Sequence, residues 1–231
     1  MKTHWDHLES LVPGLSRLAI LDLGSGRGKF LLEAAKRGAR QVAGLEPNEP
    51  YIALTNEAAR EAGVSVRVEK GVAEKMPFPD ASFDFINIAE VIEHVESPEA
   101  MLAEVRRVLV PGGRAYLSVP NRFGLKDQHF HLYFVNWLPR SLSDAFIGVF
   151  GRHKAYEEKG AGRQRLADMH YYTWKGIRDL LRRSGFAVTD IRALRIERTR
   201  EPARALLRLA YSLARSVYFD AFHILVEKPV R

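Results

Sequence analysis

Strand-like and helix-like patterns alternate through the first 120 residues, and that alternation leaves few architectures open. LAILDL (18–23) is a short apolar run ending in an acid, and KFLLEAAKRG (29–38) has helical periodicity with Gly38 as its stop. QVAGLE (41–46) predicts a second strand, and EPYIALTNEAAREAG (49–63) a second helix closed by Gly63. VSVRVEK (64–70) alternates with period two, and FDFINIA (83–89) is a mainly apolar run of the kind buried on both faces. Ser97 before Pro98 is a cap followed by a proline at the first helical position, so a helix is expected to about Leu109. PGG (111–113) reads as a turn and RAYLSVP (114–120) as a fifth strand. Strands separated by helices of this length imply right-handed crossovers, hence an α/β fold with a parallel sheet and helices on both faces.

Ligands in such sheets sit at the C-terminal ends of the strands. Those ends are Asp22–Gly28, Glu46, 71–74, Ala89–His94 and 120–122. Beyond Asn121 the alternation breaks. Residues 121–170 are aromatic and basic, and Pro139 is expected to open a helix to Phe150. TWKGIRDLLRRSG (173–185) predicts a helix, FAVTDIRALRI (186–196) a strand, EPARALLRLAYSLARSV (201–217) an amphipathic helix and FHILVEK (222–228) a last strand.

Composition narrows the chemistry. The 231 residues contain no cysteine, so disulfides, thiolate metal sites and a cysteine nucleophile are excluded. No run of about 18 apolar residues is present, and MKTHWDHLESLVPG lacks the unbroken apolar core of a signal peptide, so a cytoplasmic protein is expected. The formal net charge of +7 is unevenly spread: residues 1–120 hold 14 Lys and Arg against 17 Asp and Glu, and residues 121–231 hold 21 against 11. The basic half suits an anionic partner such as phospholipid, a phosphorylated substrate or nucleic acid, or is a solvated arginine-rich surface.

LDLGSGRGKF places Gly24, Gly26 and Gly28 between a strand and a helix. Glycines let the backbone turn tightly and approach a ligand, and a helix N-terminus favours a negative group. Glu46, at the next strand end, suits two ribose hydroxyls, so the loop reads as a site for a nucleoside-containing cofactor. The dinucleotide fingerprint needs its third glycine at position 29, where Lys stands.

G-x-G-x-G after an acidic strand end resembles motif I of the class I S-adenosylmethionine-dependent methyltransferases. GLEPNE, GVAEKMPFPDASFDFI and RRVLVPGGRAYLSVPN are similar to later motifs of that family. The resemblance, nearest to the small-molecule and ubiquinone-biosynthesis O-methyltransferases, implies a Rossmann-like, mostly parallel seven-stranded sheet closed by a C-terminal antiparallel strand. It implies one methyltransferase domain over 1–231, with an acceptor-side insertion at about 121–170 and a basic helix at about 201–217. S-adenosylmethionine would then lie against Asp22, Gly24, Ser25, Gly26, Gly28, Glu46, Pro47, Ala73, Glu74 and Ala89. Val72 stands where many members have Asp, and Glu74 is the nearby carboxylate able to replace it.

At the end of the fourth strand the chain reads E-x-x-E-H: Glu90, Glu93 and His94. On a helical turn these positions share a face. The pattern resembles two subfamilies, the ubiquinone-biosynthesis enzymes and the small-RNA 2′-O-methyltransferases, that use such residues around a divalent ion. Three readings follow. The three residues hold Mg, Mn or Zn that activates an acceptor hydroxyl, they line a metal-free pocket in which His94 can act as the base, or they have a purely structural role. Asn121, Arg122, His129, His131 and Trp137 are the acceptor-side candidates. The expected partner is a small-molecule or lipid-linked acceptor, a quinone precursor or glycan-pathway intermediate, handled by a monomer or homodimer. RNA ribose methylation and a non-catalytic cofactor-binding subunit are the alternatives; no RNA-binding module is recognisable. The 201–217 helix is expected to pack on the domain, with docking on an anionic membrane as the alternative.

Overall fold

The computed structural model describes residues 3–150, 165–199 and 202–230. Residues 151–164 of the acceptor-side segment and Glu201 of the last predicted helix lie outside them. Seven strands, β1 (Ala19–Leu23), β2 (Gln41–Glu46), β3 (Arg67–Lys70), β4 (Phe83–Ala89), β5 (Leu109–Pro120), β6 (Ala187–Asp190) and β7 (Ala221–Glu227), form one sheet in the order β3-β2-β1-β4-β5-β7-β6. β1 pairs parallel to both β2 and β4, and β2 parallel to β3. β7 runs antiparallel to β5: Gly112 N donates to Lys228 O at 2.7 Å and Asn121 N to Asp220 O at 2.9 Å. The chain is thus the expected α/β, Rossmann-like sheet.

The helices are α1 (His4–Leu11), α2 (Lys29–Lys36), α3 (Glu49–Glu61), α4 (Pro98–Val108), α5 (Arg140–Phe150), α6 (Trp174–Arg183), α7 (Ile191–Glu197) and α8 (Ala203–Ala214). Their ends follow local chemistry. Thr3 and Asp6 form a reciprocal capping box on α1, and Ser97 Oγ accepts from Ala100 N at 3.2 Å to cap α4.

Two expectations are corrected. PGG (111–113) is not a turn, because β5 runs unbroken through it, with Gly112 at φ 77°, Gly112 N donating to Lys228 O and Gly113 O accepting from Lys228 N. Pairing with the neighbouring strand overrides the local turn signal. The predicted strand 186–196 stops at Asp190, whose Oδ1 accepts from Arg192 N and Ala193 N and so starts α7. β3 is also shorter than the predicted run, beginning at Arg67.

Close contacts divide the chain into two compact groups: residues 1–117, 180–188 and 225–231, and residues 118–179 and 189–224. The first is centred on Leu21, Leu31, Phe85, Ile86, Leu102 and Val105, all fully buried. Each such side chain contributes roughly 1.5–3 kcal/mol by burial, enough to hold the adjoining loops in register. The second has a smaller core of Val135, Ile147, Leu166 and Met169, with Phe130, Leu132 and Tyr171 packed on it.

Candidate functional site

The loop after β1 is held by its neighbours on the sheet. Gly24 N and Ser25 N both donate to Leu45 O, at 2.9 and 3.1 Å. Gly24, Gly26 and Gly28 all have positive φ, at 68°, 51° and 71°, where a Cβ costs energy. Their surroundings differ. A Cβ on Gly24 would overlap Val91 and one on Gly28 would overlap Thr55, whereas one on Gly26 would enter open space. Gly24 and Gly28 therefore serve packing, and Gly26 faces open space.

Glu46 is 4% exposed at the end of β2. Its Oε2 accepts from Gly26 N at 2.8 Å and its Oε1 from Asn48 N at 3.0 Å. Ser25 Oγ is buried without a hydrogen-bond partner among the described residues. An open cradle at Gly26, an acid at the adjoining strand end and a spare hydroxyl between them suit a nucleoside with ribose hydroxyls. Pro47 is exposed beside Glu46.

A polar chain that the sequence reading missed runs beneath this loop. Asp22 is buried, and Asn87 Nδ2 donates to its Oδ1 at 2.7 Å. Asn87 Oδ1 in turn lies 2.9 Å from His4 Nε2 on α1. Burial pushes the Asp22 carboxyl up to about 7, opposed by the Asn87 hydrogen bond and reinforced by the Glu46 charge. The one signal available was Asn87 itself, an amide inside the mainly apolar run FDFINIA.

On the adenine-side stretch, Ala73 is buried and Val72 is 52% exposed. Glu74 Oε1 accepts from Glu96 N at 2.7 Å and from Ser97 N at 3.3 Å. That oxygen ties down the segment leading into α4.

The E-x-x-E-H segment is not the shared helical face that its spacing suggested. Ala89 ends β4, and Glu90 bends the chain in the left-handed region at φ 57°, with an exposed side chain. Only then does a short turn form, His94 N donating to Val91 O at 2.9 Å. Glu93 points inward and is fully buried, and His94 is partly exposed. His94 Nε2 lies 4.0 Å from Glu93 Oε1. Among the described residues, no group of three donors spaced for a metal includes Glu90. The reversed bend separates Glu90 from the pair that the sequence placed beside it.

The acceptor-side candidates lie in the second group of residues. Asn121 is fully buried, and its Nδ2 donates to Ser216 O at 3.1 Å and Phe219 O at 2.8 Å while its Oδ1 accepts from Phe123 N. It clamps the chain after α8, a structural task. Arg122 lies over Phe123 at 5.2 Å and donates to Leu138 O, but its Nη1 is buried with no acceptor among the described residues. Its neighbour Arg140, absent from the sequence reading, stacks on Tyr171 at 4.8 Å and has an Nη1 in the same state. Burial lowers the pKa of both guanidiniums, and their mutual repulsion lowers that of Arg140 further. His129 is buried in a turn made by Asp127, whose Oδ1 accepts from His129 N and Phe130 N. His131, at φ 56°, is exposed, and Trp137 is half-exposed with its Nε1 donating to Phe123 O at 2.9 Å.

A mostly parallel sheet carrying a glycine loop and an acid at adjacent strand ends is the arrangement of a nucleoside-cofactor fold. Residues 21–117 match the methyltransferase domain family. The chain is 36% identical to a demethylmenaquinone methyltransferase of Deinococcus radiodurans over 124 residues, 52% of each protein. It is 34% identical to a ubiquinone biosynthesis O-methyltransferase of Pseudomonas aeruginosa over 158 residues, 63% of this chain and 67% of that protein. The fold is similar to that of an S-adenosylmethionine-dependent methyltransferase from Mesorhizobium loti, with TM-score 0.62, 21% identity and 96% of each chain covered. The chain belongs to the S-adenosylmethionine-dependent methyltransferase family. It spans about half the length of several curated relatives that it matches.

Proposed function

We propose that the protein transfers a methyl group from S-adenosylmethionine to a hydroxyl oxygen of a small, ring-bearing acceptor of the quinone-precursor type. The observation that carries this reading is the buried Glu93 carboxylate 4.0 Å from the His94 ring at the end of β4. Bound S-adenosylmethionine supplies a methyl group on a sulfonium and leaves as a neutral thioether. Gly26 and Glu46 would hold its nucleoside, the acid through the ribose hydroxyls. His94 would take the acceptor's hydroxyl proton, so that the oxygen becomes nucleophilic as the carbon–oxygen bond forms. A phenol, with a pKa of about 10, needs such a base near neutral pH. Glu93 would orient the ring and stabilise the positive charge it gains. The two relatives, a demethylmenaquinone methyltransferase and a ubiquinone biosynthesis O-methyltransferase, support the acceptor class.

The test is turnover of methyl-labelled S-adenosylmethionine with a catechol or a demethylated hydroquinone, in buffer and in chelator. A labelled methyl group on the acceptor's oxygen, undiminished by chelator and lowered about 10²-fold or more in a folded His94→Ala variant, is the expected result. Activity that chelator stops and Mg²⁺ or Zn²⁺ restores would replace the base with a metal. Tight cofactor binding without turnover on any acceptor would indicate a non-catalytic subunit.

A further inference from the structure

Helix α8 is folded inside out. Its sequence is strongly amphipathic, and the ordinary arrangement turns the apolar stripe to the core. Here the polar edge is bound. Arg204, Arg208, Tyr211 and Arg215, at helical spacings of four, three and four, face the rest of their own group of residues. Tyr211 OH donates to Asp190 at 2.8 Å, Arg215 lies 4.7 Å over the Trp174 ring, Arg204 Nε donates to Thr199 O at 3.0 Å, and Arg208 pairs with Glu197 at 3.1 Å. Leu206, Leu209 and Leu213 form the opposite stripe and are 70%, 59% and 72% exposed. Val217 and Tyr218 extend the exposed surface past the helix end, and no residue of α8 is buried. The helix is thus held on its own group of residues through its polar edge, with the leucine stripe turned outward.

We infer that the Leu206–Leu209–Leu213 stripe lies in the interface of an anionic lipid bilayer, with α8 parallel to the surface. Three observations select this occupant. First, all of the chain's net charge belongs to the group that carries α8: its residues 118–179 and 189–224 hold 17 Lys and Arg against 10 Asp and Glu, and the remainder balances at 18 each. Anionic headgroups would attract this group before any leucine is inserted. Second, 14 of the 17 large apolar side chains exposed among the described residues fall in the same group. Third, the stripe is too small for a stable protein partner. A specific dimer buries about 800 Å² on each side, which a few aliphatic side chains on one short helix do not supply. A bilayer needs no complementary shape and accepts a narrow stripe. At about 1.5 Å per residue a helix of this length cannot cross a bilayer core of about 30 Å, and no helix among the described residues is long and apolar enough to do so.

Vesicle flotation with the full chain tests the inference, using phosphatidylcholine vesicles with and without phosphatidylserine. The wild type should float with the phosphatidylserine vesicles, and high salt should weaken this without abolishing it. L209E/L213E, with both changes on exposed positions, should lower the bound fraction at least about ten-fold while keeping the wild-type circular dichroism spectrum. L209A/L213A, which removes area without adding charge, should show an intermediate loss. Wild-type flotation by L209E/L213E would overturn the inference. So would the absence of vesicle binding together with a wild-type dimer in light scattering that this variant dissociates, since the stripe would then be covered by a second copy. Cofactor titration is unaffected by either outcome, so failure here does not touch the proposed methyl transfer.

Discussion

Glu46 Oε2 accepts the Gly26 N–H at 2.8 Å, so the acid at the end of β2 sets the shape of the glycine loop after β1. The carboxylate thus has a task in the protein before any ligand arrives. Glu46→Gln keeps one acceptor oxygen and should fold. Glu46→Ala strands the Gly26 and Asn48 N–H groups and should cost about 1–3 kcal/mol of stability. Both should weaken S-adenosylmethionine at least about ten-fold, read by calorimetric titration beside urea unfolding. Unchanged affinity in a folded Glu46→Gln protein would remove the ribose role.

The three glycines should respond differently to alanine. All pay about 1–2 kcal/mol for a left-handed non-glycine residue. Gly28→Ala also drives a Cβ into Thr55, so it should be the most destabilised, and Thr55→Ala should restore part of the loss. Gly26→Ala adds no such overlap and should keep most of the stability while losing cofactor affinity. Equal unfolding midpoints for the two variants would refute the distinction.

Asp22 predicts a pH dependence of stability. Its folded pKa, raised to about 7 chiefly by burial, exceeds its unfolded value of about 3.9. The folded state therefore holds the proton more tightly, and this contribution is full below about pH 4 and lost as pH rises through about 7. The loss is at most on the order of 4 kcal/mol. Asp22→Asn keeps an oxygen to accept from Asn87 and cannot ionise. Urea unfolding from about pH 5 to about pH 7.5 should show stability falling in the wild type relative to this variant; parallel curves would count against a raised Asp22.

Glu90 and His94 should separate cleanly. Glu90 is exposed at φ 57°, so Glu90→Gly relieves backbone strain and should be neutral to about 1 kcal/mol more stable. If the base is His94, Glu90→Gly should keep turnover within a few-fold while His94→Ala loses about 10²-fold or more in kcat. A large loss in Glu90→Gly, without loss of stability, would restore Glu90 to the chemistry.

Much of the first 120 residues was legible because their signals are local. Alternating periodicities, stops such as Gly38 and Gly63, and the Ser97–Pro98 cap report the chain's own backbone preferences, and β1, β2, β4 and α4 follow them within a residue or two. The glycine loop and Glu46 were legible for the same reason: strand ends and tight turns need particular residues at particular places. What depended on neighbours in space was not legible. Strand pairing made PGG part of β5, and one bend at Glu90 took apart a face that spacing alone would build. Asn87 gained its meaning only when the sheet set it between Asp22 and His4. The amphipathicity of α8 was plain in its residues, but its orientation was decided by Asp190 and Trp174, which bind Tyr211 and Arg215 and so leave the leucines outward. A hydrophobic period names the faces of a helix; only partners brought from elsewhere in the chain decide which face is bound.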